Sequence, residues 1–129
     1  MAQVKIYGER TVLRSSREAL SDLVHASARS AFGLPEDKRF HRFIGLDAED
    51  LITPPGRSAH YVIVEMLMFE GRSVAAKKAF YTALYDGWSS GLGHAVDDLE
   101  IVIIEAPRAN WGIRGLPGDE LALTYAVDV

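Results

Sequence analysis

The run Tyr61-Val62-Ile63-Val64-Glu65-Met66-Leu67-Met68-Phe69, followed at once by Glu70-Gly71-Arg72-Ser73, decides how this chain is read. Its side chains are β-branched, aromatic or long and apolar, broken only by Glu65, and the run is too short to span a bilayer. It reads as a strand that wants cover on both faces. Gly71 breaks the run and Ser73 supplies a helix N-cap. Ala76, Phe80, Ala83, Leu84 and Trp88 then recur on one helical stripe, and Gly91 is the expected stop. Leu99-Glu100-Ile101-Val102-Ile103-Ile104-Glu105 follows as another strand apolar on both faces.

Upstream the same order is present. Val4-Lys5-Ile6-Tyr7 is a short alternating strand ended by Gly8-Glu9-Arg10, the counterpart of Glu70-Gly71-Arg72. Ser15, three residues before Glu18, forms a capping-box pattern and predicts a helix start there. The apolar stripe is Leu20, Leu23, Val24, Ala28, Ala31 and Phe32, with Gly33 as the stop and Pro35 forbidding continuation. Arg39 to Leu46 reads as a strand with Phe40, Ile44 and Leu46 on one face and Arg39, His41 and Phe43 on the other. The stretch Asp47–Ala59, containing Thr53-Pro54-Pro55-Gly56, is a loop too short to separate independent cores. The expected fold class is α+β (α/β): two tandem β-α-β units, roughly 1–47 and 60–106, forming a four-stranded sheet in a single domain over 1–129. Pairing within each unit is parallel through a right-handed crossover. Two helices cover one sheet face only. The second face predicts self-association, with Thr124-Tyr125-Ala126-Val127 as a fifth strand at a subunit edge.

Composition sets the outer limits. The 129 residues, 48% of them hydrophobic and 25% charged, suit one globular domain and disfavour disorder. With no cysteine there is no disulfide, thiolate metal site or cysteine nucleophile, in keeping with a reducing compartment. Fourteen Lys and Arg against 18 Asp and Glu give a net charge of -4, so no chain-wide positive field would hold nucleic acid. The start Met1-Ala2-Gln3-Val4-Lys5 lacks the apolar core of a signal peptide, and the expectation is a soluble, cytoplasmic protein with no membrane partner. His25, His41, His60 and His94 show no metal-ligand spacing, so no metal is expected. The glycines make no dinucleotide fingerprint, and no serine sits in a nucleophile elbow.

The two β-α-β units, the stretch Ala31-Phe32-Gly33-Leu34-Pro35, and Gly71-Arg72-Ser73 leading into a helix with Lys77-Lys78 together resemble the tautomerase superfamily, nearest to its longer members of the malonate semialdehyde decarboxylase type. The likeness runs from the N-terminus to Asn110-Trp111-Gly112. It implies a homotrimer in which the uncovered sheet faces meet at a central barrel, and a cofactor-free chemistry resting on an amino-terminal proline. The matching position here is Ala2, which has no secondary amine. Removal of Met1 would expose a primary amine, whose ordinary pKa of about 7.7–8.0 would suit a base. Failing that, proton transfer would pass to His41, Asp37 or Glu70.

Arg72 is the leading anion-binding candidate. It stands beside the positive end of a helix, where a cation needs a compensating anion, and its planar fork fits a carboxylate. The resemblance places a carboxylate-binding arginine at this position. It also implies a second arginine two residues earlier, where this chain has Glu70. Arg39 and His41 share one strand face, and the resemblance puts a water-orienting aspartate beside that strand, for which Asp37 and Lys38 are the nearest positions. Trp111 and Arg114, in a glycine-rich loop, match a region that closes over the site. Two functional expectations follow. One is a cofactor-free keto-enol tautomerase acting on a small 2-oxo carboxylic acid, with Arg72, Arg39, Glu70, Trp111 and Arg114 at substrate and Ala2, His41 or Asp37 moving the proton. The other is a non-catalytic trimeric module that binds a small carboxylate or simply assembles.

Overall fold

The computed structural model describes residues 2–129; Met1, on which the expectation of amino-terminal processing rests, lies outside the described residues. The elements in order are β1 (Ala2–Glu9), α1 (Arg10–Phe32), β2 (His41–Leu46), β3 (Val62–Phe69), α2 (Val74–Asp86), β4 (Leu99–Ala106) and a two-stranded hairpin of β5 (Gly112–Ile113) and β6 (Leu116–Pro117). The main sheet runs β2-β1-β3-β4. As the crossovers predict, β1 pairs parallel with β2 and β3 parallel with β4. The units join through an antiparallel β1/β3 pairing that sets Ala2 opposite Met68 and Gly8 opposite Val62.

The helix layer covers one face. Ala2, Val4 and Ile6 of β1, Val62, Val64, Met66 and Met68 of β3, and Leu99 of β4 are buried there against Leu20, Val24, Ala28 and Phe32 of α1 and Phe80, Leu84 and Trp88 beyond. The other face carries Tyr7, Ile63, Glu65 and Leu67, with Val102 and Ile104 of β4 exposed at 45% and 44%. An apolar sheet face is thus open, as the doubly apolar strands require.

Several boundaries differ from the sequence-based expectation. The first helix starts at Arg10, not at Ser15: the Glu9 side chain accepts from the Val12 amide at 3.0 Å and caps it, while Ser15 and Ser16 turn their hydroxyls back onto the Val12 carbonyl inside the helix. Gly8-Glu9-Arg10 is therefore no turn; the strand runs straight into the helix, and Leu13 joins the core. Gly33, at φ 67, ends α1 in the left-handed conformation expected of it, donating to the Arg29 carbonyl at 3.0 Å. Ser73 caps α2 through the Ala76 amide. That helix does not stop in a left-handed Gly91: a π-helical turn, Gly87–Gly91, continues it, and Gly93 at φ 75 makes the reversal. The second strand begins at His41, so Arg39 and Phe40 precede it. Residues 124–127 form no strand. This tail crosses the end of β3 instead, where Ser73 donates to the Val129 carbonyl at 2.8 Å and Tyr125 packs on the core.

Truncating Leu20, which is fully buried between the helices and sheet, is expected to cost about 2–5 kcal/mol of unfolding free energy, measured by urea denaturation of Leu20→Ala. Gly33→Ala is expected to destabilise through its left-handed backbone alone, because open space surrounds the position of a Cβ there.

Candidate functional site

Because β1 is antiparallel to β3, the starts of β1 and β2 lie at the same sheet end as the finishes of β3 and β4. The candidates gather at that end in two groups. Strand neighbours are about 4.8 Å apart, so β2 and β3, separated by β1, are about 10 Å apart. Ala2 lies between them, 8% exposed, one strand away from each.

On the β2 side, His41 shares the helix-facing side with Val4, and its Nδ1 is 2.8 Å from the Ser21 hydroxyl of α1. Arg39 donates to that hydroxyl oxygen at 3.4 Å and forms an ion pair of 2.6 Å with Asp22 at the surface. The serine oxygen has two lone pairs and one proton, so its contact with Nδ1 suits either ring tautomer of His41. Burial holds His41 far below its ordinary range, at about 4, with Arg39 and the neighbouring His25 pushing the same way. Its ring is therefore neutral at pH 7, with Nδ1 held by the serine. Gln3, Arg39, Phe40, His41 and Arg42 line a groove of about 420 Å³ at this edge. Asp37 stands exposed in the turn between α1 and β2.

On the β3 side, Arg72 is buried to 5% exposure. Its Nη1 donates to the Phe69 carbonyl at 3.1 Å, and its guanidinium lies 5.8 Å from the centre of the Phe32 ring. Nε and Nη2 have no hydrogen-bond partner, although both are buried. A buried donor left unpaired costs about 1–3 kcal/mol, and here two of them share one guanidinium. Burial lowers the proton affinity of Arg72; Tyr125, Glu105 and Asp128 oppose that effect. Glu70 does not pair with it. That side chain is exposed, and only its amide is fixed, donating to the Ala106 carbonyl at 3.1 Å.

Trp111 stands edge-on to Phe69, with ring centres 5.2 Å apart, and its indole nitrogen is buried without a partner. It lines a cleft of about 290 Å³ on the open sheet face with Gln3, Leu67, Ile104, Ala106 and Asn110. Arg114 is exposed at φ 50 in the hairpin turn. Two residues not singled out in the sequence belong to this group. Arg108 lies over Phe69, 5.4 Å from its ring centre, and ties the loop together by donating to the Gly118 and Leu121 carbonyls at 3.0 and 2.6 Å. Tyr125 brings a buried, unpaired hydroxyl into the field of Arg72, Arg108 and Arg114. Burial still raises its pKa above that of a free phenol, so it remains a proton donor. Lys77 and Glu105 form an ion pair nearby, on the first turn of α2 and the last of β4. No group of three or more His, Cys, Asp or Glu among the described residues is arranged to hold a metal, and no helix among them is long and apolar enough to cross a membrane.

Residues 38–114 match the family model described as tautomerase enzyme. A probable tautomerase of Ralstonia nicotianae is 31% identical over 55 residues, 43% of this chain and 79% of that protein. The 2-hydroxymuconate tautomerase of Pseudomonas putida is 33% identical over 57 residues, 44% of this chain and 90% of its own length. Among solved structures, a malonate semialdehyde decarboxylase superposes with a TM-score of 0.80 at 22% identity, covering 92% of this chain and 99% of its own. A fused 4-OT asymmetric trimer superposes with a TM-score of 0.79 at 16% identity, covering 91% and 96%.

The His41 ring is expected to titrate near pH 4 by NMR. Its folded pKa lies below the unfolded value, so the folded state binds the proton less readily. Its contribution is intact above the unfolded pKa of about 6.5 and is lost as pH falls from there through 4. Urea midpoints of His41→Gln are expected to fall less between pH 7 and 4 than those of the wild type.

Proposed function

The chain belongs to the tautomerase enzyme family, and from that premise we propose that it binds a small 2-oxo carboxylic acid at Arg72 and shifts a proton between its keto and enol forms without a cofactor. The observation that carries this reading is the buried Arg72 guanidinium with Nε and Nη2 unpaired. A carboxylate offers two acceptors in one plane, matched to that fork, and its charge answers both the arginine and the positive end of α2. The same grip withdraws electron density toward the carboxyl end and stabilises negative charge as the enol forms.

For the proton, the nearer group is the nitrogen of Ala2, one strand from the end of β3, rather than His41, two strands away. Once Met1 is removed, that nitrogen is a primary amine in place of the family's proline, and it is basic enough near neutral pH to accept a proton from carbon. Arg39 and His41 then form the polar flank of the β2 edge. Trp111 covers the open-face side of Phe69 and keeps water from that rim. The open apolar face, with Val102 and Ile104 exposed, is the surface on which three copies would assemble as a homotrimer.

The replacement of proline by Ala2 and the hydrogen bond that holds Nδ1 of His41 on Ser21 favour a second reading, in which a trimer of the same site binds a carboxylate and performs no proton transfer.

Purified protein is expected to accelerate ketonisation of 2-hydroxymuconate over buffer, and Arg72→Gln is expected to lower kcat/KM by about 10- to 150-fold, the range for a charge-assisted hydrogen bond. With the Ala2 amine as base the rate rises with pH toward about 8, where the amine is unprotonated; with His41 as base it is flat from pH 6 to 8. A rate equal to buffer, with intact mass showing Met1 removed, would leave the binding module. Sedimentation is expected to give three times the 14.2 kDa chain mass, and Ile104→Glu a monomer.

A further inference from the structure

We infer that Tyr125 is a second binding residue of the Arg72 site, carried on a strap formed by residues 121–129 that opens to admit the ligand and closes over it. The inference rests on the carboxylate reading of Arg72 and goes beyond it.

The strap is placed by side chains at both ends. At its start, Arg108 holds the Leu121 carbonyl at 2.6 Å and Leu121 is itself buried. At its finish, the Val129 carbonyl accepts from the Ser73 amide at 2.8 Å, on the free N–H groups that open α2. Between these anchors the strap passes close over Gly71. A Cβ built there would stand 2.5 Å from a carboxylate oxygen of Asp128 and 3.3 Å from Val127, and the backbone is at φ 128, so only glycine lets the chain approach this near. Arg72, the next residue, is thereby sealed to 5% exposure.

What the strap seals in is unusual. On one side are Nε and Nη2 of Arg72, on the other the hydroxyl of Tyr125, all buried and none with a partner. Tyr125 lies close enough to Arg72 for its phenol oxygen to lean toward the guanidinium as an acceptor, short of full hydrogen-bond geometry on Nε or Nη2. The phenol oxygen can accept from Arg72, but its own proton, in the field of three guanidiniums, has no acceptor to turn to, and the fork keeps donors to spare. A flat anion with two acceptor oxygens would satisfy the set together: one oxygen on the arginine fork, the other shared between the fork and the phenol. A neutral or cationic ligand would leave the donors unpaired. The sealed Arg72 also requires movement, because a solute cannot reach a guanidinium this buried unless something opens. The strap is held at its far end by a single backbone hydrogen bond, and Thr124, Ala126 and Asp128 along it face solvent, which makes it the element that yields.

The test uses pyruvate as probe and the side-chain Nε–H resonance of Arg72 as reporter, in titrations of the wild type, Tyr125→Phe and Arg72→Lys. The wild type is expected to show a saturable shift of that resonance, with slower exchange of the Ser73 amide as the strap closes. Tyr125→Phe keeps the ring packing and removes the hydroxyl; it is expected to weaken binding about tenfold, the size of one hydrogen bond to a charged group. Saturable binding by the wild type that Arg72→Lys loses and Tyr125→Phe leaves unchanged would overturn the role of Tyr125 while the Arg72 reading stands. No saturable shift in the wild type would overturn both. Should Tyr125→Phe lower the melting temperature, the ring resonances of Tyr125 in the wild type decide instead: they move with pyruvate if the hydroxyl meets the ligand, and ring signals that stay fixed while Arg72 saturates overturn the proposal.

Discussion

The antiparallel pairing of β1 with β3 is the constraint on which this molecule turns. Each β-α-β unit by itself is a parallel strand pair with a helix laid across it. Placed side by side in the same direction, the two units would send the start of β1 and the end of β3 to opposite ends of the sheet. The antiparallel junction, with Ala2 opposite Met68, brings them together. One end of the sheet then collects the first residue of β1, the entry to β2, and the exits of β3 and β4. The helix layer is shared as well: both helices pack on the same sheet face, as right-handed crossovers would place them. The buried side chains of β1 and β3 form one core with α1 and α2, and the other face is left apolar and open.

Packing at that end explains why a charged group can be buried. Arg72 follows β3 and precedes α2, so its backbone is fixed from both sides, and its guanidinium rests on the Phe32 ring at the C-terminal end of α1. The Phe69 carbonyl takes only one of its nitrogens. Water is excluded by the crossing tail, and neither Glu105 nor Asp128 forms an ion pair with it; Glu105 is taken by Lys77. Desolvating a charge without pairing it is among the costlier arrangements in a protein interior. The fold carries it because the buried core, which includes the Phe32 ring under the guanidinium, supplies stability that offsets this cost.

The histidine at the start of β2 has the opposite character. His41 is hydrogen-bonded to Ser21, neutral, and flanked by the Arg39–Asp22 pair, so its environment is satisfied where that of Arg72 is not. Two residue types that read as equally chemical are thus separated by their partners. A satisfied side chain holds structure together, as His25 does in donating to the Glu36 carbonyl at 2.9 Å. An unsatisfied one carries a desolvation cost that no hydrogen bond of its own offsets.

Period and punctuation alone were enough to determine the two β-α-β units, the cap at Ser73, the left-handed Gly33 and the apolar second face, because these depend on local backbone preference and on which positions are apolar. The place of Arg72 beside a helix start was legible too, since Ser73 and the apolar stripe after it mark where α2 begins. The start of α1 was not. Glu9 is an uncommon cap, and Ser15 with Glu18 offered a commoner pattern that the long helix simply overran. Tyr125 and Arg108 were invisible for a different reason: each gains its meaning from a residue distant in the chain, Arg72 and Leu121 respectively. Thr124–Val127 was expected as an edge strand, but within the chain a strand needs a neighbour with free backbone groups, and the tail instead reaches the amide of Ser73 and packs Tyr125 on the core. Sequence determined which residues could carry charge and which must be buried; only the tertiary structure decided which charge stays unpaired, because a hydrogen-bond partner is a matter of distance in space and not of spacing along the chain.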